Sequence, residues 1–413
     1  GYDARSKSDA FARDVAEIVA GAGLTALLLP SALPTPVLVF ALRHLGCDAA
    51  VMVTASHNPA TDNGLKVYVG GAPIIPPVDA DIAACIDAVD SVPDLPRSTD
   101  YRILDGDVLA AYVRHAVSLL GGGPRAVRAV YTPMHGVGGL VFEQAVAAAG
   151  FPAPHRVAVQ FEPDGTFPTA PFPNPEEPGA MDLALEQASQ SDADVIVGHD
   201  PDADRCAAGI RDGGSWRMLT GDELGALLGW WIVQRRGASG LETGVFASSI
   251  VSGTMLESIA DAAGYRFVRT LTGFKWIARV PGLVYGYEEA LGYCIDPAAV
   301  TDKDGITASL LLLELVAHLR ASGRTIPAVL DALATEHGVH ATSQVSVRVS
   351  DASLIQDLMA RLREHPPSSL GAFGVDAVDD LALGYRGLPP TDGLRFGFAG
   401  GWVVIRPSGT EPK

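Results

Sequence analysis

Ala49-Ala50-Val51-Met52-Val53-Thr54-Ala55-Ser56-His57-Asn58-Pro59 carries five apolar residues, the length of a short strand, straight into a polar turn. Working outward, Pro36 opens a helix that turns Val37, Phe40, Ala41 and Leu45 inward, with Gly46 after its end. Before it lies an apolar run at 24–29. Earlier still is a helix capped by Ser8, with Phe11, Val15, Ile18 and Val19 on one face and Gly21 or Gly23 ending it. Helix, strand, helix, strand in this order favours buried, largely parallel sheets and an α/β fold.

The rhythm restarts twice. Residues 127–131 read as a strand, followed by a turn with Gly136, Gly138 and Gly139 and a helix at 141–149. Residues 194–197 form another apolar strand ending at His199-Asp200, and a helix at 224–233 follows Gly221-Asp222. A third series starts at 244–247 and runs through Met255, Ile259 and Phe267. The apolar helix 306–319 then follows Asp302-Lys303-Asp304-Gly305. Ser309, Glu314 and His318 interrupt that helix, so it falls short of the ~18 uninterrupted apolar residues of a membrane span and reads as buried core. The C-terminal part differs. Val345, Val347 and Val349 alternate as in a strand with one wet face, and a helix follows through Leu354, Leu358 and Leu362. Residues 394–398 and 402–406 flank Gly400-Gly401 as a hairpin, giving a small α+β domain. Boundaries near 118, 225 and 337 divide the chain into 1–118, 119–225, 226–337 and 338–413.

Composition narrows the function. A chain of 413 residues allows two to four domains at roughly 100–200 residues each. With 48% apolar and 19% charged residues, it has ample material for packed cores and is not disordered. Acidic residues outnumber basic ones 48 to 30, for a net charge of −18, which argues against nucleic acid spread over a broad surface. A small phosphate ligand needs only a few local donors. Neither a signal peptide nor a membrane segment is visible. Cys47, Cys85, Cys206 and Cys294 lie far apart without metal spacing, which suits a reducing cytoplasm.

Ligand sites in open α/β sheets lie at the carboxyl ends of strands. Ser56 stands there with His57 beside it and Lys66 ten residues on, as a nucleophile or phosphate carrier, or else in a polar turn that caps a backbone amide. Asp200, Asp202 and Asp204 follow another buried strand at a spacing of two, so a looped or extended backbone turns all three carboxylates one way. Such a set repels itself unless a cation sits among it, and hard oxygen ligands favour Mg²⁺. The alternative is a solvated acidic loop, which Pro201 and the apolar strand before it weaken. The glycine and later glutamate of an EF-hand are missing. Arg406-Pro407-Ser408-Gly409-Thr410 offers a planar fork, two hydroxyls and a close backbone approach for phosphate, or is a surface turn. Glu288 and Glu289 suit vicinal sugar hydroxyls or solvent. Thr272-Gly273-Phe274-Lys275 alone says little.

In content and order these motifs resemble the α-D-phosphohexomutase superfamily of phosphoglucomutases and phosphomannomutases. Gly1-Tyr2-Asp3-Ala4-Arg5 resembles its early arginine motif, and 54–59 with Asn63-Gly64-Leu65-Lys66 its phosphoserine loop. Residues 200–205 resemble its metal loop, Glu288-Glu289 its sugar loop, and 406–410 its phosphate loop. The resemblance implies three α/β domains with mixed sheets around a cleft, plus a C-terminal α+β domain like the TATA-binding-protein fold. In chain order these are the phosphoserine, metal-binding, sugar-binding and phosphate-binding domains. It further implies that Ser56 is phosphorylated and joins Asp200, Asp202 and Asp204 around Mg²⁺. His57 and Lys66 become candidates for proton transfer, and Arg5 and Arg205 for charge near the reacting phosphoryl group. Arg406, Ser408, Gly409 and Thr410 would hold the distal phosphate, with Gly273 and Lys275 near the substrate. The implied activator is glucose 1,6-bisphosphate, the partners are small sugar phosphates, and the protein works in the cytoplasm as a monomer or dimer.

The sugar loop departs from the common Gly-Glu-Glu-Ser-Gly-His pattern. Ala290 replaces the serine, the loop is one residue longer, and Tyr293 stands where histidine is common. With Thr132-Pro133-Met134-His135-Gly136, this is similar to the branch that holds phosphopentomutase and glucose-1,6-bisphosphate synthase activities. Both ends resemble a clipped family member. Two rivals exist: a phosphatase with Asp200 as nucleophile, and a sugar-phosphate binding protein without turnover.

Overall fold

Ala49–Val53 forms the strand its apolar run predicts, in a computed structural model that describes residues 1–236, 244–349, 351 and 353–408. Its partner Leu65–Val69 is antiparallel, with Met52 opposite Lys66, and Ala72–Pro73 adds a third antiparallel strand. The expected parallel sheet is corrected here by chain length. A parallel return needs a crossover of a dozen or more residues, and only the loop 54–64 separates the two strands. That loop is therefore held at both ends by paired strands.

Upstream, helix Ser8–Gly21 buries Ser8, Ala12 and Ala16, while Phe11 on the expected face is 42% exposed. Ser8 lies inside the helix, not at its cap, and its hydroxyl donates to Asp3 Oδ1 at 2.7 Å. The apolar run at 24–29 pairs only over Leu27–Leu28. Pro36 does open helix Thr35–His44, which buries Val37, Phe40 and Ala41 and leaves Leu45 exposed just past its end.

The second sheet orders Ser215–Met218, Ala207–Asp212, Val195–Gly198, Ala129–Thr132 and His155–Arg156 side by side. Its central pair, Ala129–Thr132 and Val195–Gly198, is parallel and wholly buried, which is why both read as continuous apolar runs. Gly136 in the turn after the first of these has no room for a side chain, since a Cβ would come 2.4 Å from Pro201 Cα. The turn thus seats directly against the 200–205 loop. In the third sheet Val245–Ser249 runs parallel to Leu283–Glu288, which pairs antiparallel with Gly292–Cys294.

Helix Gly305–Ala321 is apolar on nearly all sides because it is buried on nearly all sides; Leu310, Leu311, Leu312, Leu313 and Leu315 are each at most 2% exposed. Each such leucine contributes about 1.5–3 kcal/mol by burial. Its one buried acid, Glu314, accepts from Gly121 N and Trp231 Nε1 and pairs with Arg235. No single described helix is long and apolar enough to cross a membrane.

The described chain forms two compact units, one of Gly1–Val268 with Gly273–His340 and one of Arg269–Thr272 with the stretch from Ala341 onward. In the smaller unit Ala377–Asp380, Leu394–Phe398 and Gly401–Ile405 form an antiparallel sheet, and helix Ser353–Glu364 sets Met359 against Leu394 and Phe396. The expected strand through Val345 and Val347 does not form. Both side chains are exposed, and no described strand pairs with this segment. Alternation supplies a face, but a strand also needs a neighbour to satisfy its backbone. Mixed α/β sheets with a small α+β unit are the fold class expected from the sequence.

Candidate active site

Ser56 sits in the loop 54–64 with φ +50°, a left-handed conformation unusual for a serine. Its amide donates to Thr54 Oγ1 at 2.9 Å, and Thr54 Oγ1 in turn donates to Asp3 Oδ2 at 2.6 Å. Arg5 organises the rest of the turn. Its guanidinium donates to the carbonyls of Ser56 (2.6 Å), Asn58 (2.5 Å), Pro59 (2.6 Å) and Asp62 (3.1 Å). It also pairs with Asp3 at 3.2 Å and lies 4.8 Å from the Phe167 ring centroid. With these bonds made, Arg5 shapes the loop from behind.

Ser56 Oγ donates to Asp200 Oδ2 at 2.9 Å, and His57 Nδ1 lies 3.3 Å from the same hydroxyl. Asp200, Asp202 and Asp204 are fully buried, with candidate ligand oxygens all within 4.8 Å of one another. Asp202 Oδ2 accepts from Thr35 Oγ1 (2.5 Å) and Lys66 Nζ (2.6 Å). Asp204 Oδ2 accepts from Lys66 Nζ (2.6 Å) and faces Lys303 Nζ at 3.2 Å. Asp202 Oδ1 and Asp204 Oδ1 have no hydrogen-bond partner among the described residues although both are buried. Buried carboxylate oxygens normally find partners, so this pair fits a divalent cation with hard oxygen ligands.

The charges divide unevenly. Burial, with Asp202 and Asp204 alongside, pushes the Asp200 carboxyl well above the usual carboxylate range. Burial acts the same way on Asp204, but Lys303, Lys66 and Arg205 outweigh it and hold that carboxyl below its usual value. For Lys66 burial favours loss of the proton, yet Asp202 and Asp204 overcome it and raise its pKa. Lys66 is therefore held protonated between the two aspartates. Behind the loop, burial lowers His199 to about 3, so its ring is neutral. Its Nε2 lies 2.8 Å from Ser309 Oγ and 3.2 Å from the Gly305 carbonyl, and its Nδ1 lies 3.0 Å from Tyr131 OH, so both ring nitrogens are engaged.

Leu283–Glu288 brings Glu288 to the same place. Glu288 Oε1 lies 3.9 Å from Lys303 Nζ, and burial raises its carboxyl to about 7 despite that lysine. The two loops are joined: Arg205 and Gly292 form a β-bridge, and Cys206 N donates to Leu291 O at 3.1 Å. Ser56, the three aspartates and Glu288 thus meet at the ends of three sheets.

Four family profiles match the chain in order. They are described as phosphoglucomutase/phosphomannomutase alpha/beta/alpha domains I, II and III, over residues 1–93, 110–213 and 220–337, and the C-terminal domain over 345–413. The "Probable phosphomannomutase" of Haemophilus influenzae is 47% identical over 421 residues, covering 100% of this chain and 86% of the relative. The chain belongs to the phosphoglucomutase/phosphomannomutase family. Human phosphopentomutase is 34% identical over 464 residues, covering 100% of this chain and 75% of that protein. A crystal structure of a phosphoglucomutase/phosphomannomutase family protein from Burkholderia thailandensis superposes with a TM-score of 0.77 at 22% identity, over 100% of this chain and 82% of that one, and shows the shared fold. As a family member the chain is a phosphosugar mutase, an isomerase that transfers phosphate.

Within this mutase the expected residues are placed as follows. Ser56, His57, Lys66 and the three aspartates cluster together, and Arg205 lies against them. Arg205 Nη1 reaches Asn174 Oδ1 (3.4 Å) and Glu176 Oε2 (3.3 Å), and its Nε is 4.0 Å from Asp200 Oδ2. Glu289 turns elsewhere, its Oε2 accepting from Ser249 Oγ (2.9 Å) and Ser252 Oγ (2.8 Å). Gly273 has φ +106° at the start of helix Phe274–Ile277, where Lys275 Nζ lies 6.0 Å from the Trp276 ring centroid. In the smaller unit Arg406 is exposed and donates to its own Pro407 carbonyl at 3.3 Å, and Ser408 is half-buried. Gly409 and Thr410 lie outside the described residues.

Sequence reasoning missed Thr35, Lys303, Tyr68 and Tyr112. Tyr68 OH donates to Asp302 Oδ2 (2.7 Å) and Tyr112 OH to Asp304 Oδ1 (2.9 Å), pinning the segment on both sides of Lys303. The available signal was a lysine between two aspartates immediately before a buried helix.

Proposed function

We propose that this mutase interconverts the 1-phosphate and 6-phosphate of glucose or mannose, with Ser56 as the phosphate carrier. The observation that carries the reading is the Ser56 hydroxyl, in a left-handed turn, 2.9 Å from a buried aspartate whose two neighbours each keep an unpartnered oxygen. Phosphate on Ser56 Oγ passes to the free hydroxyl of a sugar monophosphate: the serine P–O bond breaks, a sugar P–O bond forms, and a proton leaves the sugar hydroxyl while one returns to Ser56 Oγ. The resulting bisphosphate turns around and returns its other phosphate to Ser56.

Phosphoryl transfer is mainly positioning and charge stabilisation. Asp200, Asp202, Asp204 and the phosphate on Ser56 would hold Mg²⁺, which supplies charge stabilisation when bound. Lys66, kept protonated, adds a fixed charge. His57 stands where it can take the proton of Ser56 when the serine is rephosphorylated. Glu288, with its raised pKa, accepts a hydrogen bond from a sugar hydroxyl. Arg406, Ser408, Gly409 and Thr410 take the distal phosphate, Lys275 assists in holding substrate, and glucose 1,6-bisphosphate primes Ser56. Four unpaired cysteines suit a cytoplasmic setting.

Pentose phosphate is the second reading. Tyr293 is fully buried with its hydroxyl spent on the Gly221 carbonyl at 3.3 Å, so it offers no sugar contact where histidine is common. Phosphorus NMR of glucose 1-phosphate, mannose 1-phosphate and ribose 1-phosphate separates these readings. Each is followed with Mg²⁺, with and without a trace of glucose 1,6-bisphosphate. Faster conversion of a hexose supports the first, and of ribose the second. No conversion of any sugar refutes both.

A further inference from the structure

Asp202 has two oxygens in unlike surroundings. Oδ2 receives Thr35 Oγ1 and Lys66 Nζ, whereas Oδ1 meets no donor among the described residues. A half-turn of the carboxylate about its last torsion would exchange the two, so something must choose between them. Lys66 is a poor arbiter, because its flexible stem also serves Asp204 Oδ2 at 2.6 Å. Thr35 is stiffer. It is fully buried, is β-branched, and opens helix Thr35–His44, so its hydroxyl is fixed by both backbone and rotamer.

A second bond ties the same pair. Thr35 N is one of the helix-terminal amides that lack an intrahelical acceptor, and it donates to the Asp202 carbonyl at 3.0 Å. The residue before it, Pro34, has no side chain able to cap the helix, and the Thr35 hydroxyl points outward to Asp202. The positive end of the helix thus faces the aspartate loop, with backbone and side chain of one residue gripping backbone and side chain of another.

We propose that Thr35 is a positioning residue that holds Asp202 with Oδ1 turned toward the cation site. The inference rests on the reading of Asp200, Asp202 and Asp204 as a divalent-cation site, and it adds a residue that acts only through one of them. Groups that orient a metal ligand from behind typically change affinity 10- to 100-fold when lost.

The test is a Mn²⁺ titration of the whole protein, freed of phosphate on Ser56, with free Mn²⁺ read by electron paramagnetic resonance. Thr35→Val, which replaces the hydroxyl by a methyl group, should weaken Mn²⁺ binding by about 10- to 100-fold, while Thr35→Ser should stay within about threefold of the parent. Equal affinity in parent and Thr35→Val overturns the role of Thr35 and leaves the cation site standing. Equal weakening in both variants overturns it too, since packing and not the hydroxyl would then be responsible. Absence of Mn²⁺ binding in the parent itself refutes the cation site. Should Thr35→Val not fold, amide exchange in the unaltered protein decides. Added Mg²⁺ should slow exchange at Thr35 by about tenfold or more through the bond to the Asp202 carbonyl. An unchanged rate overturns the proposal.

Discussion

Replacing Arg5 by lysine separates two roles that a cation near a phosphate carrier can play. In the structure four of the Arg5 hydrogen bonds go to carbonyls of residues 56–62, and the side chain is almost fully buried. A lysine brings three donors without the planar fork and can replace about two of those bonds. Two lost bonds to a charged donor, at about 1.5 kcal/mol each, amount to about 3 kcal/mol of loop stability. At 1.36 kcal/mol per decade, amides in the loop should exchange about 100-fold faster. Ser56 then leaves its left-handed conformation, so phosphorylation by glucose 1,6-bisphosphate, followed by intact mass, should slow by a similar factor. The sugar-phosphate KM should change little. If Arg5 instead served the reacting phosphoryl group directly, the loop would exchange normally while phosphorylation fell. Wild-type exchange across 54–64 in Arg5→Lys refutes the scaffold role.

Ser56→Ala should lower mutase turnover on every sugar by at least about 10⁴-fold, as loss of a nucleophile does. Phosphatase turnover retained at the parental rate would make Asp200 the nucleophile instead. Glu288, raised by burial to about 7, accepts sugar hydroxyls more strongly when ionised, so the KM for the preferred sugar phosphate should climb as pH falls through 7. In Glu288→Gln the KM should be high and flat across that range; a parental KM that is equally flat removes Glu288 from the sugar site. Asp304 is raised by burial from 3.8 to about 6, despite bonds from the Thr307 amide and Tyr112. The folded chain thus holds this proton more tightly than the unfolded one, and its contribution is present below about pH 4 and lost as pH rises through 6. Asp304→Asn keeps the cap acceptor without titrating, so from pH 4 to pH 7 it should gain up to about 3 kcal/mol on the parent in urea unfolding. Parallel curves for the two proteins would show the carboxyl to be unperturbed.

The parts of the site that could be read in the sequence are those in which one local stretch holds both position and chemistry. Val53 running into Ser56, and Val197 into Asp200, tell where a strand ends and what stands there, because the apolar run and polar loop are contiguous. The spacing of Asp200, Asp202 and Asp204 likewise needs no distant partner to be suggestive. Thr35, Lys303, Tyr68 and Tyr112 are different. Each acts on a residue 99 or more positions away, and nothing local distinguishes Thr35 from any residue that precedes a helix-opening proline. The antiparallel return of Leu65–Val69 was within reach of a chain-length argument, since a loop of this size cannot carry a crossover helix. The alternating valines 345, 347 and 349 mislead because period two names a face and not a partner. Glu289 was paired with Glu288 by adjacency, but Glu288 is the last residue of its strand and Glu289 the first of the turn, which carries it toward Ser249 and Ser252.

The strain in the site falls on the loops that must meet. Ser56 (φ +50°) and Ala203 (φ +53°) are both non-glycine residues in left-handed backbone, each at a cost of order 1 kcal/mol, and they stand on the two loops that bring serine to aspartate. Neither conformation is local in origin. Arg5 gathers the carbonyls around Ser56, while Ala203 is held from both sides: its amide donates to Asp200 O at 2.9 Å and its carbonyl accepts from Gly305 N at 3.2 Å. Gly305 must be glycine for this, because a Cβ there would lie 2.2 Å from Arg205 O. The same residue starts helix Gly305–Ala321, which is buried along nearly its whole length. Packing energy gathered along Gly305–Ala321 thereby supports the backbone strain at Ala203. That strain keeps Asp200 and Asp204, on either side of Ala203, aimed at a common point before substrate arrives, so the geometry needed for phosphate transfer is set by folding and does not have to be drawn from substrate binding.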